Sequence, residues 1–153
     1  MANEIRCIKK INDKIYYTWK DYNEDIFDLE SQEFDHVVGI YRGSLGLAAH
    51  VSNVYDVPMS IVGMQTRDSD DKEPYWIHNL IDRKTKRVLV VDDIYDTGNT
   101  MCKVINFVMY FSDMPLGHEV ISYCLFGKAN KDQTIYSQVH DGSWVVFPWE
   151  IID

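Results

Sequence analysis

Basic residues are in short supply in this chain: 15 lysines and arginines stand against 24 aspartates and glutamates, a formal net charge of -9 over 153 residues. That balance argues against sequence-independent nucleic-acid binding, which needs a basic surface to displace counterions from phosphates. It leaves room for a small anionic ligand, since a few backbone amides and a cation or two suffice, and the ligand can bring its own divalent metal. Cysteine is scarce too. Cys7, Cys102 and Cys124 are widely spaced with no Cys-x-x-Cys pair, which fits free thiols in a reducing compartment rather than a disulfide framework or zinc site. Cys102 and Cys124 lie in apolar runs and are expected to be buried. No stretch approaches a membrane-spanning length, and Met1 to Cys7 lack the apolar run of a signal peptide. The expectation is a cytoplasmic protein with neither nucleic acid nor membrane as partner. Repeats, low-complexity segments and Pro/Gly/Ser linkers are absent as well, so residues 1–153 read as one domain large enough to bury a core. His36, His50, His78, His118 and His140 show no ligand spacing. The acidic run from Asp68 to Glu73 lacks the EF-hand pattern and reads as solvated loop.

What is present alternates between two periods. Thr18 followed by Asp21 resembles an N-terminal cap, and Trp19, Tyr22, Ile26 and Leu29 recur at helical spacing, predicting a helix over about 19–31. His36 to Tyr41 reads as a buried strand broken by Arg42-Gly43-Ser44, after which Leu47, Val51 and Val54 supply the inner face of a second helix. Val57 to Met64 reads as a strand, and Gln65 to Lys86 as a long polar loop, a feature that is usually functional or disordered within a compact domain. Arg87 to Val91 is a further buried strand ending in Asp92-Asp93. Met101, Val104, Ile105 and Val108 mark a helix, and residues 119–126 a last strand before a Trp- and Pro-bearing tail. Strands apolar on both faces, alternating with helices, predict an α/β fold with an open, mainly parallel twisted sheet. Ligands then bind beyond the carboxyl ends of the strands, where the breaks at Arg42 and Asp92 both fall.

The segment from Val88 to Thr100 carries the chemistry. A hydrophobic strand delivers Asp92 and Asp93, then a turn with Asp96, Thr97, Gly98, Asn99 and Thr100 opens a helix. Amides from Asp96 to Thr100 would converge at a helix N-terminus, whose dipole favours a phosphate monoester. Gly98 permits close approach, and the Thr97 and Thr100 hydroxyls add hydrogen bonds. Asp92 and Asp93 could hold ribose hydroxyls and position a hydrated Mg²⁺, which takes one or two carboxylates plus substrate oxygens. Receiver domains and dehalogenase-type phosphatases also place carboxylates after a strand. The latter use Asp-x-Asp, however, whereas two residues separate Asp93 from Asp96.

This segment resembles the phosphoribosyl-pyrophosphate binding motif of type I phosphoribosyltransferases, with Tyr95 standing where the family usually has an aliphatic residue. The departure suggests a side chain facing the site or the base. Val37 to Leu45 resembles the pyrophosphate loop of the bacterial xanthine-guanine (hypoxanthine) enzymes of that family. By that resemblance Arg42 and the amides near Gly43 grip the leaving pyrophosphate, and a non-proline cis peptide falls at Tyr41-Arg42. Leu125 to Lys128, with Trp144 and Pro148-Trp149-Glu150, resembles the family's base-binding end. The implied base contacts are Lys128 on the purine O6, Trp144 stacked on the ring, and Val145; Trp149 is expected in the core. Val146 replaces an acidic residue that the family often has near the purine 2-position, which makes hypoxanthine at least as plausible as guanine or xanthine.

The resemblance implies a single domain with a flexible active-site loop at 65–86, a small base-binding hood at 127–153, and a homodimer or homotetramer. It implies Mg²⁺-dependent transfer of the phosphoribosyl group from phosphoribosyl pyrophosphate to a 6-oxopurine. Asp96 would manage the proton on N7, and Arg67 or Lys72 would close on the pyrophosphate from a loop spanning about Gln65 to Asn79. A non-catalytic regulator of the same fold, binding nucleotide or phosphoribosyl pyrophosphate, is the alternative from another class. An enzyme acting on a pyrimidine base is the alternative within the class.

Overall fold

A computed structural model describes residues 8–64, 73–113, 117–130 and 133–151. The chain opens with β1 (Lys10–Ile11) and β2 (Lys14–Tyr16), then α1 (Trp19–Asp25), a 3-10 turn, β3 (His36–Tyr41), α2 (Leu45–Tyr55) and β4 (Met59–Gly63). It continues with β5 (Tyr75–His78), β6 (Arg87–Ile94), α3 (Asn99–Tyr110), β7 (Glu119–Gly127), β8 (Ile135–Val139) and β9 (Trp144–Val146). Six strands form the main sheet in the order β5-β4-β3-β6-β7-β8, and β1-β2-β9 form a small second sheet. In the main sheet only β5 runs antiparallel to its neighbour. No helix of the described residues is long and apolar enough to cross a membrane.

The parity of the strands explains why both faces are covered. Val37, Leu89, Val91, Tyr123 and Leu125 pack on one face with Leu47, Ala48 and Val51 of α2, and with Tyr17, Val145 and Phe147 at the small sheet. Val38, Ile40, Val88, Val90 and Cys124 pack on the other with Met101, Val104 and Val108 of α3. Successive side chains point to opposite faces, so continuous Val/Leu/Ile runs are what a doubly covered parallel sheet requires.

α1 starts as its sequence predicts. The Asp21 amide donates to Thr18 Oγ1 at 3.2 Å, and the Thr18 amide donates to Asp21 Oδ2 at 2.9 Å, a reciprocal capping box. The helix is shorter than the expected 19–31, ending at Asp25 and tightening into a 3-10 turn over Ile26–Leu29. Val54 does not serve the inner face of α2: it is 59% exposed, one turn beyond the last buried position, Val51. Cys102 is exposed rather than buried, because α3 directs Met101 and Val104 inward and turns the intervening position to solvent. The loop expected over 65–86 is narrower than its polarity implies. Tyr75–His78 add an edge strand, and Ile81 and Thr85 are buried. Within 127–153, the region expected as a hood, the described strands join two different sheets. Residues 135–139 extend the main sheet, while β9 pairs in parallel with β2 from the other end of the chain. Arg67, Lys72 and Cys7 lie outside the described residues.

His36, at the start of β3, is fully buried, its Nε2 2.7 Å from Ser60 Oγ. Burial lowers its pKa from 6.5 to about 4, against the opposing charges of Asp35 and Asp82. A histidine kept neutral by the fold binds its proton more readily when unfolded, so its contribution is intact above pH 6.5 and is lost as pH falls towards 4. The expected loss is about 1.4 kcal/mol for each unit of pKa depression. A His36→Gln variant is expected to flatten the fall in denaturation midpoint between pH 6.5 and 4; an unchanged slope would assign that fall to other groups.

Candidate active site

β3 and β6 lie side by side, and the chain leaves them in opposite directions: α2 carries β3 to β4, while α3 carries β6 to β7. A crevice forms at such a switch point. Here it is a cleft of about 1290 Å³ whose walls include Arg42, Gly43, Asp92, Asp93 and Thr100. It is larger than the ~300–1,000 Å³ of a typical small-molecule pocket.

The loop after β3 is held by Ser44, whose buried hydroxyl accepts from the Ile40 amide at 2.9 Å and lies within donating distance of the Ile40 and Val91 carbonyls. The Tyr41-Arg42 peptide is cis, as the resemblance implies. Gly43 is forced by proximity: a Cβ there would sit 2.6 Å from Asp93 Oδ2. The absence of a side chain thus lets the Arg42 loop press against the carboxylates of β6.

Asp92 and Asp93 are half-buried at the end of β6. Asp92 Oδ1 accepts from the Asp93 amide at 2.9 Å and Asp93 Oδ1 from the Ile94 amide at 2.8 Å. Burial pushes the Asp92 carboxyl well above the ordinary carboxylate range, and the adjacent Asp93 charge pushes it further. Burial raises Asp93 too; hydrogen bonds from Asp92 and the backbone act against it, and the Glu150 charge adds to it. Two adjacent hard oxygen donors whose charge is unfavourable without a counter-ion fit a divalent cation such as Mg²⁺.

Beyond β6, Asp96 and Thr97 are exposed, and Thr97 Oγ1 accepts from the Asn99 amide at 3.3 Å. Gly98 caps α3 in the left-handed region, φ 86°. Tyr95 does not face the ligand side. It is buried in the α3-side core, and its ring lies against the turn so closely that a Cβ at Gly98 would fall 2.2 Å from Tyr95 Oη. The tyrosine therefore supports the turn from below, and together with the positive φ it confines position 98 to glycine.

The base-side residues are placed less compactly. Lys128 Nζ lies 3.8 Å from Asp96 Oδ1, an exposed pair of little consequence for stability. Trp144, on β9, is 67% exposed. Val145 turns its side chain into the core, so only its main chain remains for a ligand. Lys128, Trp144 and Val145 do not line the cleft that holds Arg42, Asp92 and Asp93.

More of that cleft's lining comes from outside the two strand-end loops. Trp19, Tyr22, His50, Trp149 and Glu150 all line it. The expectation that Trp149 is a core residue is corrected: it is 37% exposed, with its ring stacked on Phe147 at 4.7 Å and Trp19 6.0 Å away. Tyr22 Oη lies 2.6 Å from His50 Nδ1. The resemblance of Pro148-Trp149-Glu150 to the family's base-binding end is the sequence signal for Trp149 and Glu150. Trp19, Tyr22 and His50 carry none beyond aromatic content, and nothing indicates that the two ends of the chain meet.

The order of strands, with the polar residues gathered where β3 and β6 diverge, places the molecule among α/β proteins that bind ligands at the carboxyl edge of a doubly wound sheet. Comparison with known proteins narrows this class. The phosphoribosyl transferase domain model matches residues 4–151, and the chain belongs to that family, with the type I phosphoribosyltransferase fold. It is 26% identical over 150 residues to the xanthine-guanine phosphoribosyltransferase of Chromohalobacter salexigens, covering 94% of this chain and 88% of that one. The crystal structure of a purine phosphoribosyltransferase from Pyrococcus horikoshii superposes with a TM-score of 0.72 at 30% identity, over 92% of this chain and 96% of the other. The transcriptional regulator GfcR of Methanocella arvoryzae is 29% identical over 94 residues, 58% of this chain and 45% of the regulator.

Proposed function

We propose that the protein transfers the 5-phosphoribosyl group from phosphoribosyl pyrophosphate to a 6-oxopurine, releasing pyrophosphate. The observation that carries this reading is the convergence of Arg42, Gly43, Asp92, Asp93 and Thr100 on one cleft at the switch point. The similarity to two purine enzymes, each over nearly the whole chain, supports it.

In this reading the turn from Asp96 to Thr100 receives the 5-phosphate at the N-terminus of α3. Asp92 and Asp93 hold the ribose hydroxyls and would hold Mg²⁺, partly through water and substrate oxygens; the ion would supply positive charge against the departing pyrophosphate. Arg42 and the amides near Gly43 bind the same group from β3. Displacement at the anomeric carbon passes through an oxocarbenium-like state, so alignment and charge complementarity do most of the work. Asp96 takes the proton from the purine N7. Lys128 donates to O6, Trp144 stacks on the ring, and Val145 offers its main chain.

The test is a base panel with phosphoribosyl pyrophosphate and Mg²⁺, following pyrophosphate and nucleotide. Hypoxanthine, guanine and xanthine are expected to react; uracil, orotate and adenine are not. Because Val146 leaves the purine 2-position without a carboxylate, Val146→Glu is expected to raise kcat/KM for guanine relative to hypoxanthine by roughly tenfold, the worth of one charge-assisted hydrogen bond. An unchanged ratio would show that the position does not face the base.

A second reading is a regulator that binds the same ligands without turnover. The identity shared with GfcR over 94 residues favours it. The presence of Asp96, Lys128 and Trp144 favours the enzyme.

A further inference from the structure

Asp25 is a carboxylate buried outside the cleft, where the two sheets meet. It closes α1 and is 7% exposed. Tyr17 donates its hydroxyl to Asp25 Oδ2 at 2.9 Å, and the Gln138 side-chain amide lies 3.0 Å from both carboxylate oxygens. The Asp25 carbonyl accepts from Ser137 Oγ at 3.1 Å.

The two side-chain donors come from different halves of the proposed base site. Tyr17 follows β2, which sets Lys14 opposite Trp144, and its own amide donates to the Val146 carbonyl at 3.0 Å. Gln138 lies on β8 opposite Phe126, and the pairing continues with Val139 opposite Gly127, the residue before Lys128. The remainder of the joint is aromatic, with Tyr17 edge-on to Phe126 at 5.1 Å and to Phe147 at 5.8 Å. Apolar burial is largely non-directional, whereas hydrogen bonds to one carboxylate fix both distance and angle.

We propose that Asp25 is a positioning residue for the base: its carboxylate sets the Trp144 sheet relative to Lys128, so that ring stacking and the O6 contact form together. This rests on the base-site assignment above. A carboxylate suits the role because it only accepts. Asparagine would keep one acceptor and turn an NH₂ towards Tyr17 or Gln138, which must then reverse its hydroxyl or amide to accept, so the joint no longer has one fixed set of donors. Asp25 does not line the cleft of Arg42, Asp92 and Asp93, so phosphoribosyl pyrophosphate binding is spared.

In Asp25→Asn the KM for hypoxanthine is expected to rise ~10- to 100-fold, the scale of a misplacement of ~1 Å. The KM for phosphoribosyl pyrophosphate stays within about twofold, which separates lost base positioning from a general loss. Amide hydrogen exchange at Trp144–Val146 quickens while β3 and β6 keep their protection. The reciprocal double variant Asp25→Asn with Gln138→Glu restores a donor facing an acceptor, and the hypoxanthine KM recovers. If Asp25→Asn fails to fold, Tyr17→Phe, which removes one donor, gives the same split at smaller size. The two KM values rising together, or a folded variant with unchanged base KM, would overturn the role. An unmutated chain that turns over no purine removes the base site itself and this role with it. A working enzyme without the split removes only the role of Asp25.

Discussion

Changing both Asp92 and Asp93 to asparagine is expected to abolish nucleotide synthesis and, in metal-free buffer, to make the protein more stable. The two effects share one cause. Each carboxylate is held in a half-buried site that resists its charge, and the two repel each other. A fold tolerates such an arrangement where function uses it, so neutral isosteres relieve it. The hydrogen bonds survive, because asparagine Oδ1 can still accept from the Asp93 and Ile94 amides. A gain of ~1–2 kcal/mol is expected, at about 2–4 °C in Tm per kcal/mol for a chain of this size. The rate falls by ~10³-fold or more, the scale of removing a principal electrostatic contact from a transition state. Added Mg²⁺ raises the Tm of the unmodified protein by linkage and leaves the variant unmoved. A variant that melts lower, or that keeps its response to Mg²⁺, contradicts the assignment of the pair.

Asp96→Asn is expected to act differently, lowering kcat ~10²- to 10⁴-fold, the range for loss of a general base. Asp96 is highly exposed at the turn, so the substitution leaves stability within ~0.5 kcal/mol. The turn itself is set by Gly98 and the Tyr95 ring beneath it, and neither changes. Binding of phosphoribosyl pyrophosphate, followed by calorimetry, therefore persists while turnover fails. If turnover survives, the proton leaves N7 by another route and Asp96 serves only the phosphate turn.

The parts of the molecule legible from its sequence are those in which local pattern and tertiary fate agree. The run from Val88 to Val91 is apolar because both faces of β6 are covered, and the polarity changes at Asp92, where the strand meets the cleft. The turn through Gly98 is written in residue types that a tight bend opening a helix needs. Contacts between distant segments are not written in this way. The small sheet joins β2 to β9 from opposite ends of the chain, each too short to carry a period-2 signature. The aromatic residues Trp19, Tyr22 and Trp149 likewise come together in the cleft from opposite ends of the chain. Tyr95 shows the same limit on a smaller scale: its position in the motif was plain, but the direction of its side chain depends on the α3-side core beneath the turn.

The most direct test of the account is to incubate the unmodified protein with phosphoribosyl pyrophosphate, hypoxanthine and Mg²⁺ and to quantify nucleoside monophosphate and pyrophosphate together. The account predicts equimolar formation of both, dependent on the metal. Tight binding of phosphoribosyl pyrophosphate with no nucleotide from hypoxanthine, guanine or xanthine would contradict it and leave a ligand-binding regulator in place of the enzyme.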